Sequence, residues 1–458
     1  MENKYLSTLK KQADFFSSNK TKDTKFRIEQ LKNLLQILKA NEKLLNDALY
    51  SDFRKSPFDT YSTELAIIYH EIKLTIRKLD EWARIKRVSS GLSNFPGKSF
   101  IVPEPFGNVL VIGAWNYPYQ LSILPAVSAL AAGNTVIIKP SELSQNASNA
   151  MAKIINGSFD EGILHVIEGG VEETTELLKH PFDFIFYTGS TAVGKIIMRA
   201  ASENLTPLVL ELGGKSPAIV TEDANLKMTA KRIVWGKFLN GGQTCVAPDY
   251  LLVNQSIKDE LIKNIKEQID IIHGTNPKES EAFTRIINQR HFKRLIKVID
   301  KKKLIFGGDI DEKDLYISPT IIDNVSFEDE VMQEEIFGPI LPIITYEDLN
   351  KAIAEIKAKP KPLALYLFSN SKKIQNKVMK EISFGGGAIN DVIMQLANSK
   401  LPFGGVGQSG MGNYHGEFGF KTFSHHKSII KKTNWFEPWF KYPPYTKGKL
   451  TLIRNILG

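Results

Sequence analysis

One cysteine in 458 residues, Cys245, excludes an internal disulfide and fits a reducing compartment, the cytoplasm. The N-terminal run MENKYLSTLKKQADFF has no continuous apolar stretch behind its charges, so no secretion signal is read there. The longest weakly polar segment, Leu121 to Gly133, is broken by Ser122 and Ser128 and is too short to cross a bilayer as a helix. Among the eight histidines no HExxH or comparable ligand spacing occurs, and no metal is expected. Internal repeats, low-complexity linkers and a Gly-x-Gly-x-x-Gly fingerprint are also missing, so any dinucleotide site is of an unusual kind. What is present is globular composition, 42% hydrophobic and 24% charged, with length for two or three domains.

The net charge of +9 is unevenly placed: from Lys427 onward seven basic residues face Glu437 alone. The same tail interleaves Trp435, Phe436, Trp439, Phe440, Tyr442 and Tyr445, and Leu450 to Leu457 has the pattern of a short amphipathic helix. That mixture suits weak peripheral contact with a membrane, or equally packing on the body or on a partner subunit. Nucleic acid is not an expected partner.

Residues 1 to about 90 read as helices, with Leu31, Leu34, Leu35 and Leu38 at helical spacing, and show no evident chemistry. From Val109 short apolar runs alternate with helical segments: 109–113, 121–132, 135–138, the stretch after Ser144, 163–167, 171–179 and 182–187. Strands alternating with helices predict a doubly wound parallel sheet, which binds nucleotides at the carboxyl ends of its strands. A second α/β unit follows Leu212, with helices near 224–238, 256–269 and 347–356 and strands near 249–253, 340–345 and 363–368. The fold class is therefore α/β, a doubly wound domain plus a second α/β domain, with a tight hinge near Gly213-Gly214.

Cys245 follows two glycines and two polar residues in Gly241-Gly-Gln-Thr-Cys245, a context that lets a ligand approach the backbone and suits a nucleophile. Polar residues stand past three strand ends: Trp115-Asn116-Tyr117-Pro118, Lys139-Pro140-Ser141-Glu142 and Thr188-Gly-Ser-Thr-Ala-Val-Gly-Lys195. The third is nearly a Walker A loop, but Ile196 lacks the hydroxyl that would coordinate magnesium; its glycines still suit a dinucleotide pyrophosphate at a helix N-terminus. Glu211, between Leu210 and Leu212, is a desolvated candidate general base, with a structural pair to a nearby lysine as the alternative. Glu335-Ile-Phe-Gly-Pro339 sets another acid and a ring before a turn.

Together these motifs, with Pro402-Phe-Gly-Gly405, resemble the aldehyde dehydrogenase superfamily in order and span, roughly 100 to 425. The short N-terminal region, Asn390-Asp-Val-Ile-Met394 and Gly410-Met-Gly-Asn-Tyr-His415 look most like its class 3 branch, which includes fatty-aldehyde and apocarotenoid-aldehyde enzymes.

The resemblance implies a dinucleotide-binding domain over 1–86 and 106–213, a catalytic domain over 214–412, a bridging element over 87–105 and 413–430 that joins a homodimer, and a tail over 431–458. It implies that the Cys245 thiolate attacks an aldehyde, with the oxyanion held by the Asn116 amide and the Cys245 N–H. Glu211 activates water against the thioester, and Glu335 assists or grips the nicotinamide ribose. The implied cofactor is NAD, or NADP as well, held by Trp115, Lys139, Ser141, Glu142, Gly189, Ser190, Val193, Gly194, Leu212, Gly213, Glu335 and Phe337. The Glu142 carboxylate would repel a 2′-phosphate and so leans the choice towards NAD. Tyr117, Asn390, Ile393 and Met394 are the expected substrate contacts, and Tyr117, Ile393 and Met394 suggest an apolar entrance that favours aromatic, long-chain or polyene aldehydes. The rivals are acyl reduction through the same thioester and a membrane-binding protein acting through its basic tail.

Overall fold

The computed structural model describes residues 5–457. It opens with helices α1 (Leu6–Ser17), α2 (Thr24–Ala40), α3 (Glu42–Phe53), the single turn α4 (Pro57–Thr60) and α5 (Ala66–Trp82), then strands β1 (Lys86–Val88) and β2 (Lys98–Pro105). Strictly alternating elements follow: β3 (Asn108–Ile112), α6 (Pro118–Ala132), β4 (Thr135–Lys139), α7 (Gln145–Asn156), β5 (Leu164–Val166), α8 (Val171–Leu177), β6 (Phe184–Thr188), α9 (Thr191–Glu203) and β7 (Leu208–Glu211).

The second half holds β8 (Pro217–Val220), α10 (Leu226–Phe238), β9 (Tyr250–Asn254), α11 (Lys258–His273), α12 (Gln289–Lys297), β10 (Leu304–Phe306), β11 (Ile310–Asp311), β12 (Tyr316–Ile317), β13 (Thr320–Ile322), β14 (Ile340–Tyr346), α13 (Leu349–Ala358), β15 (Ala364–Phe368), α14 (Lys372–Glu381) and β16 (Gly386–Ile389). The chain ends through β17 (Gly410–Met411), α15 (Gly416–Thr422), β18 (Ser424–Lys431) and α16 (Lys447–Leu457).

Strand order β17-β7-β6-β3-β4-β5 makes the first sheet, parallel except at β17. The chain starts at β3, builds outward to β5, then returns to add β6 and β7 on the other side, so the switch point lies between β3 and β6. The second sheet, β10-β13-β14-β9-β8-β15-β16, repeats this plan around β8 and is parallel except between β10 and β13. A three-stranded antiparallel sheet joins β1, β2 and β18. β3 and β4 are buried along their whole length, as strands covered on both faces must be. The same burial explains α6, which is apolar nearly all round because it is wedged between the first sheet and α2 and α5, with Gly133 at φ 96° ending it.

Two details depart from the boundaries expected above. Gly410 and Met411 already pair with Glu211 and Leu210, so the chain is back on the first sheet before residue 412. α15 packs on α5 and α6, and only β18 of the expected 413–430 segment enters the three-stranded sheet. Both follow from the open edge that β7 leaves and the apolar face of α15, where Phe420 is buried. Among the described residues no helix is long and apolar enough to cross a membrane, and no group of His, Cys, Asp and Glu is set to hold a metal.

Candidate active site

Cys245 is placed by the chain that leaves α10. Asn240, Gly241 and Gly242 all have positive φ, and a Cβ on Gly242 would stand 2.3 Å from the Gly338 carbonyl oxygen, so glycine is required there. The buried Gln243 amide locks the turn: Nε2 donates to the Asn240 and Arg285 carbonyls, and Oε1 accepts the Ile287 N–H. Beyond the cysteine, the Tyr366 hydroxyl donates to the Val246 carbonyl at 2.6 Å. The thiol is left partly exposed at a cleft.

Asn116, past the end of β3, meets this turn. Its Nδ2 donates to the Gln243 carbonyl at 3.0 Å, and its own carbonyl accepts from Asn240 Nδ2 at 2.9 Å. One hydrogen of the Asn116 amide is thereby used and the second is available to a ligand.

Glu211, at the carboxyl end of β7, is buried, and neither carboxyl oxygen has a partner. Burial alone lifts its proton affinity well above the ordinary carboxylate range. The alternative of a lysine pair is not realised: Lys215 instead donates to Asp249 at 2.6 Å and to the Val331 and Glu334 carbonyls. Those bonds, with Arg294 donating to the Glu335 and Ile336 carbonyls, clamp the loop that carries Glu335. Burial, then the Asp249 charge, lifts Glu335 to about 8, while the Gly214 N–H, Lys215 and Arg294 pull it back. A Cβ on Gly213 would overlap Glu335 Oε2, so that glycine makes room for the carboxyl group.

Burial pushes the Cys245 thiol up, and the Glu335 and Glu211 charges push it further, so the proton stays on sulfur until a base removes it.

One cleft of about 1110 Å³ is lined by Cys245, Asn116, Glu211 and Glu335 together with Trp115, Lys139, Ser141, Glu142, Gly189, Ser190, Val193, Leu212, Gly213 and Phe337. Gly194 is not on its wall; a Cβ there would press on Leu212 at 2.7 Å, so it serves the packing of α9 on the end of β7. Ser190 caps α9, accepting the Val193 N–H at 3.4 Å. The Lys139 ammonium is fully engaged, by the Pro140 and Gly169 carbonyls and by Glu142 Oε2 at 3.3 Å. At the opposite end Phe337, at φ 51°, meets Trp115 edge to face at 5.3 Å.

The expected substrate residues lie off this wall. Tyr117 is buried, its hydroxyl paired with Thr244 Oγ1 at 2.6 Å. Asn390 spends its amide on the Ser369 backbone, Oδ1 accepting at 2.9 Å and Nδ2 donating at 3.0 Å, which leaves the side chain little to offer a ligand. Ile393 is buried near Gly236 of α10, and Met394 is half exposed. Sequence reading passed over His291, whose ring stands 5.3 Å from Trp115 and which burial lowers to about 4. It also passed over Arg294, since neither lies in a motif with its own spacing.

The cleft fits a dinucleotide on its own terms: side-chain-free Gly189 before the capped start of α9, a lysine-carboxylate pair at one end and aromatic rings at the other.

Known proteins are similar to this chain in sequence and fold. The aldehyde dehydrogenase family model matches residues 5–429. The 4,4'-diaponeurosporen-aldehyde dehydrogenase of Staphylococcus aureus (strain NCTC 8325 / PS 47) is 50% identical over 442 residues, 96% of each chain. The dimeric NADP-preferring aldehyde dehydrogenase of Mus musculus is 47% identical, over 96% of this chain and 97% of its own. The substrate-bound state of Staphylococcus aureus AldH superposes with a TM-score of 0.97 at 48% identity, covering 99% of both chains. The chain belongs to the aldehyde dehydrogenase family.

Proposed function

We propose that the chain oxidises apolar aldehydes, aromatic, long-chain or polyene, to carboxylic acids with NAD or NADP, through a thioester on Cys245. The observation that carries this reading is the partly exposed Cys245 thiol sharing one cleft with Asn116 and with the unpartnered carboxyl group of Glu211. As the Cys245 sulfur bonds to the carbonyl carbon, its proton passes to the Glu335 carboxylate, which leaves Glu211 free for the later step. The carbonyl electrons move to oxygen, where the free hydrogen of the Asn116 amide and the Cys245 N–H stabilise the charge. NAD or NADP, when bound, supplies the hydride acceptor. Glu211 then takes a proton from water; the oxygen bonds to the thioester carbonyl, the C–S bond breaks and the acid leaves.

Ser141 and Glu142 hold the adenosine end of the cofactor, with the engaged Lys139 ammonium fixing Glu142 beside it; Gly189, Ser190 and Val193 hold the pyrophosphate, and Phe337, Trp115 and Glu335 the nicotinamide end. The Glu142 carboxylate opposes a 2′-phosphate, so NAD is the better fit. Retention of Glu211 favours water over another acyl acceptor and hence oxidation over acyl reduction.

The assembly is a cytoplasmic homodimer joined through the β1-β2-β18 sheet, in which β18 is an edge strand. The tail supports a second, accessory reading, contact with an anionic membrane surface: Trp435, Trp439 and Tyr445 are well exposed beside the tail's basic residues.

Initial rates across an aldehyde series, with NAD and NADP in parallel, test the proposal. Cys245→Ser should bind dinucleotide normally and lose turnover by on the order of 10⁴-fold; undiminished turnover overturns it.

A further inference from the structure

The N-terminal helices, whose sequence shows no chemistry, reach the candidate site through a buried ion pair. Lys55 and Glu64 are fully buried, with Nζ 2.6 Å from Oε1. Glu64 Oε2 accepts the Tyr119 N–H at 2.9 Å and the Gln120 N–H at 3.2 Å, donors in the first turn of α6 that have no partner within the helix. The Lys55 ammonium lies 4.1 Å from the centre of the Tyr117 ring. The hydroxyl of that ring pairs with Thr244, the residue before Cys245, and Asn116, the residue before Tyr117, donates to Gln243. The same layer grips the other end of α6, where Arg27 donates to the Ala131 carbonyl at 3.1 Å.

A buried ion pair is weak support for stability, because apolar side chains of equal volume commonly do as well or better. Besides Asp59 in α4, whose charge also acts on Lys55, the outward contacts of the pair run towards the turn that carries Asn116. We propose that Lys55 and Glu64 are positioning residues, holding residues 116–120 so that the Asn116 amide and the Cys245 N–H converge on one oxygen. This inference rests on the oxyanion reading given above.

The test uses the full-length chain with benzaldehyde and saturating NAD. The single-turnover rate of NADH formation, the NADH dissociation constant and the melting temperature are measured for Lys55→Met, Lys55→Arg and Glu64→Gln. Lys55→Met and Glu64→Gln should slow NADH formation by about 10- to 100-fold, as a displacement near 1 Å would, and leave NADH affinity within about twofold. Lys55→Arg should restore part of the rate. In an Asn116→Ala background, Lys55→Met should cost less than about twofold more, because the amide it places is gone. A wild-type rate in a folded Lys55→Met, or the same loss in both backgrounds, overturns the proposal. If a single variant does not fold, Lys55→Met/Glu64→Gln removes both charges of the pair and carries the same comparison. A wild-type rate in Asn116→Ala alone would instead remove the oxyanion reading beneath it.

Discussion

Cys245 sits between two carboxyl groups that each favour the proton on sulfur. Removing one of those charges should lower the thiol's proton affinity. Glu335→Gln is expected to raise the alkylation rate of Cys245 by iodoacetamide at pH 8 by about two- to tenfold, with burial still holding most of the shift. An unchanged rate would mean that Glu335 does not act on the sulfur. Glu211→Gln should separate the half-reactions: hydride leaves at a near-normal rate, the thioester persists, and stopped flow records a burst of NADH of about one equivalent per site. Full steady-state turnover in that variant would remove Glu211 as the base. Both glutamates were legible as candidates, Glu211 as a lone acid between two leucines and Glu335 as an acid set before an apolar residue, a ring and a turn. Their orphaned or clamped state was not, since it depends on Lys215 choosing Asp249.

The elements around the site are tied by side chains from the N-terminal layer. Asp52 accepts the Asn146 and Ala147 N–H groups at the start of α7, as Glu64 does at α6. Glu71 of α5 is buried and accepts the Gly416 N–H at 2.7 Å, which anchors α15; burial lifts its carboxyl group to about 7. Because this folded-state value lies above the ordinary 4.5, the native chain binds the extra proton between those two values. Stability from this group is therefore full below about pH 4.5 and is lost as pH rises through about 7. Glu71→Gln keeps the acceptor and removes the ionisation, so its melting temperature should match the wild type near pH 5 and exceed it by about 2 to 5 °C near pH 8. A difference that does not vary with pH would refute this linkage. At this scale α6, β3 to β7 and, in the second sheet, β9, β14 and β15 announce themselves as apolar runs, whereas the short β8, β10, β13 and β16 do not. Helices α12 and α14 do not, because Gln289–Lys297 buries only Phe292 and Leu295, and Lys372–Glu381 only Val378.

For the whole molecule, the cleft lies along the carboxyl ends of the first sheet and is closed by Cys245 and Glu335, which segments joining elements around the second sheet supply. A dinucleotide that bridges them stabilises only the folded chain, so NAD at 100 times its dissociation constant should add about 2.7 kcal/mol, read as a rise in melting temperature. No rise would exclude the cleft as a nucleotide site. The tail stands apart from this machinery, touching the body where Phe436 meets Phe95 at 6.4 Å. Deleting residues 432–458 should abolish binding to vesicles rich in anionic lipid and leave turnover of benzaldehyde within about twofold. Vesicle binding that survives the deletion would take the membrane reading away.

By itself the sequence determined the alternation of strand and helix, the parallel strands of the first sheet and three strands of the second. It also determined a lone thiol in a glycine turn and the acids and glycines that meet it, because each is a local pattern of periodicity, turn chemistry or residue type. Tertiary structure alone decided that Glu211 keeps no partner, that burial raises the Cys245 thiol, that Asn390 spends its amide on Ser369, and that the Lys55 ammonium lies over the Tyr117 ring. Those facts depend on desolvation and on contacts between residues far apart in the chain, which no local pattern encodes.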